Sequence, residues 1–218
     1  AVKTSTTYGT DGKEYSRTAY EYTLHEIREN QNQSPSWLIE PTKVERYQQG
    51  TLVETREAHI SLSSSGYAIN SRTDSVTDHY GSGQTVESYS EFINNESTNE
   101  MRLSVKKSFV GSPNEVRTDY SYDSRGNLTI ELTRYTGTGL AAVKDRETRY
   151  TYDAYGNRTS VSRMGENGPR TVETEYDAML HQYAVKETLV NDLALSTTYE
   201  INYESAFGAA QKKTDPNG

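Results

Sequence analysis

"YDSRGNLT" spans residues 122–129, and "YDAYGNRT" spans residues 152–159. The two octets start 30 residues apart and share Tyr-Asp, Gly-Asn and a closing Thr. Neither holds an obvious nucleophile, a cluster of metal ligands or a phosphate-binding loop. Both fit a hairpin. Asp123 and Asp153 suit the first position of a type I turn, where the carboxylate accepts a backbone N–H. Gly126 and Gly156 suit the left-handed position that closes such a turn as a bulge. Asn127 and Asn157 tolerate unusual backbone angles and open the next strand. Tyr120 and Tyr122 sit two apart, as do Tyr150 and Tyr152, so each pair projects from one face of its strand. Aromatic cross-strand pairs contribute roughly 0.2–1 kcal/mol each relative to alanine. The octet therefore reads as a strand end, a turn and a strand start.

Composition agrees with a β fold of an unusual kind. Only about one residue in six is Leu, Ile, Val or Phe, and the net charge is −8. Scarce hydrophobes with high charge point towards disorder, but 18 tyrosines argue for order. Tyr supplies a large apolar ring with a polar end, and Tyr and Thr both favour strands. The expectation is an ordered, Tyr-packed β protein with a thin apolar core. A chain without Cys has no disulfide, zinc thiolate or thiol nucleophile. No apolar run approaches the length of a membrane-spanning helix. The first residues do not read as a signal peptide. The start at Ala1 and the tail Lys-Thr-Asp-Pro-Asn-Gly suggest a piece of a longer protein. An acidic balance speaks against a nucleic-acid partner.

Turn signals recur every 11 to 17 residues along the chain, from Asp11-Gly12 to Asn191-Asp192 and Gly208. Short strands between regular turns predict an all-β array of successive antiparallel hairpins. "KVERYQQGTLVETREAHI", residues 43–60, is the clearest hairpin, alternating around Gly50. "LTIEL", residues 128–132, puts Leu128, Ile130 and Leu132 on one face. "EYTLHEIREN", residues 21–30, reads either as one short helix or as a strand. No Gly-, Ser- or Pro-rich linker divides the chain. The chain reads as one continuous β array with an irregular first third, residues 1–95 being a β-rich region that leads into a repeat region over 96–218.

At this point the residues resemble a known family. Tyr-Asp-x-x-Gly-Asn-x-Thr at such intervals is similar to the YD repeat of RHS (rearrangement hotspot) proteins. Degenerate copies follow at Tyr176-Asp177, without the Gly-Asn, and from Tyr203 to Gly208, with Glu204 in place of the usual Asp. The tail Thr214-Asp215-Pro216-Asn217-Gly218 resembles phrasing common in that family. "VERYQQGTLVETREAHISLSSSGYAINSRTDSVTDHYGSG" is similar to the region before the strong repeats in toxin-complex B components. The full motifs cover residues 120–163, and before residue 40 the resemblance is faint. It implies a curved β-ribbon, a segment of a hollow shell that encloses a toxic polypeptide in secreted or surface bacterial toxins. Teneurins use a similar shell in adhesion. The repeats of the family are not enzymatic, and no stretch here matches its self-cleaving protease.

Other readings of single residues compete. His25, His59, His79 and His181 lie far apart without metal-ligand spacing. Asp74, Asp78 and His79 are candidate metal ligands, and a charged strand face beside Gly81 accounts for them as well. Glu54/Glu57 and Glu173/Glu175 are carboxylate pairs of the kind glycosidases use, and equally a solvated face. Trp37, Tyr120 and Tyr150 are candidate ligand-contact aromatics, or packing residues of the ribbon. Asn-x-Ser/Thr sequons occur at Asn32, Asn95, Asn127 and Asn157, the last two being the turn Asn of the octet.

The sequence thus leads to a non-enzymatic shell segment with no cofactor. Its partners are the rest of the shell and an enclosed polypeptide, with glycans as a further class. The alternative is a glycan- or protein-binding adhesion module that uses a Tyr-rich β surface. An isolated ribbon exposes unpaired edges, so self-association or marginal stability is expected.

Overall fold

A computed structural model describes residues 2–27, 36–63, 68–79, 83–95, 100–165, 168–190, 195–201 and 210–216. Among these residues the chain is antiparallel β throughout, with a single 3-10 turn at Thr138–Leu140. Fifteen strands form one open sheet in which spatial order is sequence order.

The chain divides into two compact units, residues 1–118 with 135–143, and residues 119–134 with 144–218. The first holds β1 (Val2–Tyr8), β2 (Glu14–Ile27), β3 (Ser36–Gln48), β4 (Thr51–Leu62), β5 (Ile69–Asp78), β6 (Thr85–Asn95) and β7 (Glu100–Ser108). Next along the chain come β8 (Val116–Tyr122) and β9 (Leu128–Tyr135). The second unit continues with β10 (Arg146–Tyr152), β11 (Arg158–Gly165), β12 (Gly168–Tyr176), β13 (Ala184–Val190), β14 (Leu195–Ile201) and β15 (Ala210–Thr214).

The hairpin expected at Gly50 is present. Gln48 opposes Thr51, and Gln49 and Gly50 take φ of 49° and 78°. Two consecutive left-handed residues make the type I′ turn whose twist matches the flanking strands. Residues 21–27 settle as strand, with Leu24 directly opposite Ile39, while residues 28–30 lie outside the described residues. The described residues of the first third are largely strand rather than irregular: β2 and β3 are the longest strands, at 14 and 13 residues. In β2 the period-two signal is carried by Tyr and Thr more than by aliphatic residues, so it is faint in a hydrophobicity reading.

The thin core is thinner than its composition suggests. Among the described residues only Ala58 and Val105 are buried apolar side chains. Leu24 and Ile39 stand opposite each other with 58% and 61% of their surface exposed. In β9, the residues of both faces are half-buried, not those of one. Ion pairs between residues two apart on one strand recur over the faces: Lys43–Glu45 and Arg56–Glu54 at 2.8 Å, Arg72–Asp74 at 2.6 Å, Arg149–Glu147 at 2.5 Å. Such exposed pairs contribute about 0.2–1 kcal/mol each. Arg17 adds a cation–π contact, 4.0 Å above the Tyr47 ring.

Candidate functional site

Every residue shared by the two octets has a place in the turns of the second unit. The Asp123 N–H donates to the Asn127 carbonyl at 3.0 Å, and the Gly126 N–H donates back to the Asp123 carbonyl at 3.0 Å. Asp123 Oδ1 accepts the backbone N–H of Arg125 and of Asn127, both at 2.9 Å, and its Oδ2 accepts Asn127 Nδ2 at 3.0 Å. Asp153 repeats the pattern with Tyr155 and Asn157, at 2.8 to 2.9 Å. Gly126 and Gly156 both have φ of 89°, the conformation only glycine adopts without cost. In the second copy the pairing shifts register between Thr151 and Tyr152, the expected bulge. The closing Thr bonds across the hairpin: Thr129 Oγ1 donates to the Ser121 carbonyl at 3.1 Å, and Thr159 and Thr151 share a bond at 2.9 Å.

The electrostatics follow from the donors. Hydrogen bonds from the Asn127 side chain and backbone hold the Asp123 carboxyl below its ordinary pKa. For Asp153, burial pushes the pKa upward, and the bonds from Asn157, Tyr155 and Gly156 outweigh it and lower the value.

The degenerate copy keeps the same design with different residues. Asp177 is 2% exposed. Its Oδ1 accepts the N–H of Gln182 at 2.9 Å and of Tyr183 at 2.8 Å, and its Oδ2 accepts Leu180 N–H at 2.6 Å. The loop is two residues longer, closing from Asp177 N–H to the Tyr183 carbonyl. His181, with φ of 55°, takes the left-handed place that Gly holds in the other copies. A further copy lies where the sequence showed only Asp11-Gly12. Gly9 N–H donates to the Lys13 carbonyl at 2.8 Å, and Gly12 N–H donates to the Gly9 carbonyl at 3.0 Å. Gly12 has φ of 75°, and Gly9 stands where the octets have Asp. The signal that finds it is Tyr8 followed four residues later by Gly12, the spacing of Tyr122 to Gly126 and Tyr152 to Gly156.

Sequence reasoning also missed the bonds that link one turn to the next. Tyr152 Oη donates to the Leu128 carbonyl at 2.8 Å, and Tyr176 Oη donates to the Arg158 carbonyl at 3.2 Å. Leu128 and Arg158 occupy the same octet position, directly after the turn Asn. The tips are tied as well. Arg125 Nη1 donates to the Ala154 carbonyl at 2.7 Å, and Asn157 Nδ2 donates to the His181 carbonyl at 2.6 Å. The rings of Tyr155 and His181 stack with centroids 4.1 Å apart. Three turns thus form one laced edge.

The remaining candidates fall elsewhere. Tyr203 and Gly208 lie outside the described residues, as does the sequon residue Asn32. Trp37 is in β3 with its backbone opposite Glu26, and its side chain is outside the described part. Tyr122 is half-buried at the end of β8. Burial, then the charge of Glu131, raises the pKa of both Tyr120 and Tyr150. Tyr150 Oη donates to Glu131 at 3.2 Å, and Arg158 lies 5.7 Å above its ring. Asp74 is held by Arg72, and His79 Nε2 bonds Thr55 Oγ1 at 2.9 Å. Glu54 is paired with Arg56, Glu57 opposes Lys43, and Glu175 bonds Lys186 at 2.7 Å. No three His, Asp or Glu residues gather as a metal site among the described residues. The Asn127 and Asn157 amides are both engaged in their turns.

No family model and no curated protein matches the chain. Among solved structures, a porin-like protein from Bacteroides uniformis is similar over 98% of this chain and 91% of its own length, with 11% identity and a TM-score of 0.38. Among the described residues, no helix is long and apolar enough to cross a membrane.

Proposed function

We propose that the chain is a non-enzymatic structural segment of an RHS-type shell, a curved ribbon that helps to enclose a toxic polypeptide in a secreted or surface bacterial toxin. The observation that carries this reading is the laced edge. The turns at 123–127 and 153–157 repeat one hydrogen-bond design, and Tyr152 and Tyr176 each tie their own repeat to the one before it. A motif spent on turn geometry and lateral stapling builds an extensible wall. The residues that otherwise suggest chemistry are engaged in same-face ion pairs and turn bonds. A sheet with almost no buried core suits a wall whose two faces meet different surroundings.

The test is electron microscopy of the complete parent gene product, with protease protection of its enclosed segment. Hollow particles are expected. Deleting one repeat, residues 123–152, should expose the enclosed polypeptide to protease while the remaining turns stay folded. A parent product with no further Tyr-x-x-x-Gly turns, or one that forms no hollow particle, overturns the reading.

A further inference from the structure

Four strand arginines, Arg56, Arg72, Arg102 and Arg149, are held by an acid two positions away on the same face. Arg163 and Arg170 break that pattern. Their neighbours two positions away are Val161, Gly165, Gly168 and Val172. They sit directly opposite each other in the β11–β12 hairpin. Both are exposed, and the tip of their hairpin, Glu166 and Asn167, lies outside the described residues. Arg146 shares their face, because it lies two residues before Thr148, which opposes Arg163. It too is exposed. Three arginines therefore share one end of one face, in a chain of net charge −8. Like charges directly opposed in a sheet are destabilising, so this arrangement costs stability until an anion is shared. The guanidinium fork matches a carboxylate bidentately.

Two residues inward the same face turns apolar. Val161 opposes Val172, Val172 opposes Leu189, and Leu189 opposes Leu195. Val172 and Leu195 are 38% and 41% exposed. The row crosses four strands at about 4.8 Å per strand. The other face is mixed: Ser162 opposes Thr171, Thr171 opposes Val190, and Thr188 opposes Ser196.

We infer that this face docks an acidic polypeptide segment, with carboxylates on the Arg163–Arg170 pair and aliphatic side chains along the valine–leucine row. Charge complementarity sets the sign of the partner. The aliphatic row sets its class: it offers no flat ring on which a sugar or base stacks, and the one aromatic at its end, Tyr150, is engaged by Glu131 and Arg158. The inference stands apart from the shell reading, because it concerns binding by these 218 residues alone.

The test is a fluorescence-anisotropy titration of the whole chain with a labelled dodecapeptide, Asp-Glu-Asp followed by alternating Leu and Ser. The same peptide with every Leu replaced by Ser, and heparin as a sulfated polysaccharide, are the comparators. The Leu peptide should bind most tightly and should weaken as salt rises from about 50 to about 500 mM. Arg163→Gln with Arg170→Gln should weaken it about 10-fold or more. Val172→Thr, which keeps a strand-favouring residue, should weaken it several-fold, with strand content unchanged by circular dichroism. Equal binding by wild type and the double variant overturns the inference. So does heparin binding as tightly as the peptide with the same dependence on the two arginines.

Discussion

The Tyr152 hydroxyl donates to the carbonyl of Leu128, 24 residues earlier, and Tyr176 repeats the bond to Arg158, 18 residues earlier. The first letter of each turn motif therefore belongs to the preceding repeat as much as to its own. Tyr152→Phe keeps the ring and removes only this bond. The expected cost is about 0.5–1.5 kcal/mol, or a fall in Tm of about 2–4 °C per kcal/mol for a chain of this size. Tyr8 is 65% exposed, so Tyr8→Phe should leave the thermal unfolding of this chain unchanged.

Asp177 is the most demanding of the turn aspartates. Asp177→Ala leaves the N–H groups of Leu180, Gln182 and Tyr183 without their acceptor. A buried donor left unpaired costs about 1–3 kcal/mol, so this variant should lose more stability than any other single turn change. Amide exchange at those three positions should rise well before global unfolding. Unchanged exchange would mean that the longer loop does not depend on its aspartate.

Gly156 tests the backbone alone. A Cβ at Gly156 meets nothing within 4 Å, so Gly156→Ala pays only for the left-handed conformation. That is roughly 1–2 kcal/mol, readable as a lower urea midpoint with an unchanged slope.

Acid should weaken the fold from its turns and ion pairs. Asp123 is held low by Asn127, Glu45 by Lys43 and Tyr47, Glu54 by Arg56, and Glu115 by the Gly111 N–H. Each binds fewer protons folded than unfolded. Their stabilisation is therefore complete above the unfolded carboxylate range, about pH 4 to 4.5, and is lost as pH falls through the lower folded values. Thermal scans from pH 7 to 3 should show a flat upper range and a falling Tm below about pH 5. Asp123→Asn with Asp153→Asn should flatten part of that fall.

Turn chemistry was the most legible part of this sequence. Asp, Gly and Asn at fixed offsets specify a backbone path by local bonding, and those bonds are present at 123–127 and 153–157. The strands were legible as a class but not everywhere in detail. Residues 14–27 carry their alternation in Tyr and Thr, which score weakly as hydrophobes. The fourth copy was hidden because Gly9 replaces Asp, and the third was blurred because His181 fills the place of Gly in a longer loop. The Tyr staples were not legible at all, since a phenol reaching a carbonyl 24 residues away is fixed by sheet register and leaves no local signature. Arg163 and Arg170 became conspicuous only once the register set them face to face.

Among the described residues every strand's neighbours in the sheet are its neighbours in the chain, so each pairing joins segments close in sequence. Loop-closure entropy is small at each step, and low separation between partners favours rapid folding. A hairpin can form as soon as its second strand emerges, and the next Tyr can lock onto a carbonyl already in place. The fold is therefore suited to being laid down directionally, one strand at a time, as the chain leaves a ribosome.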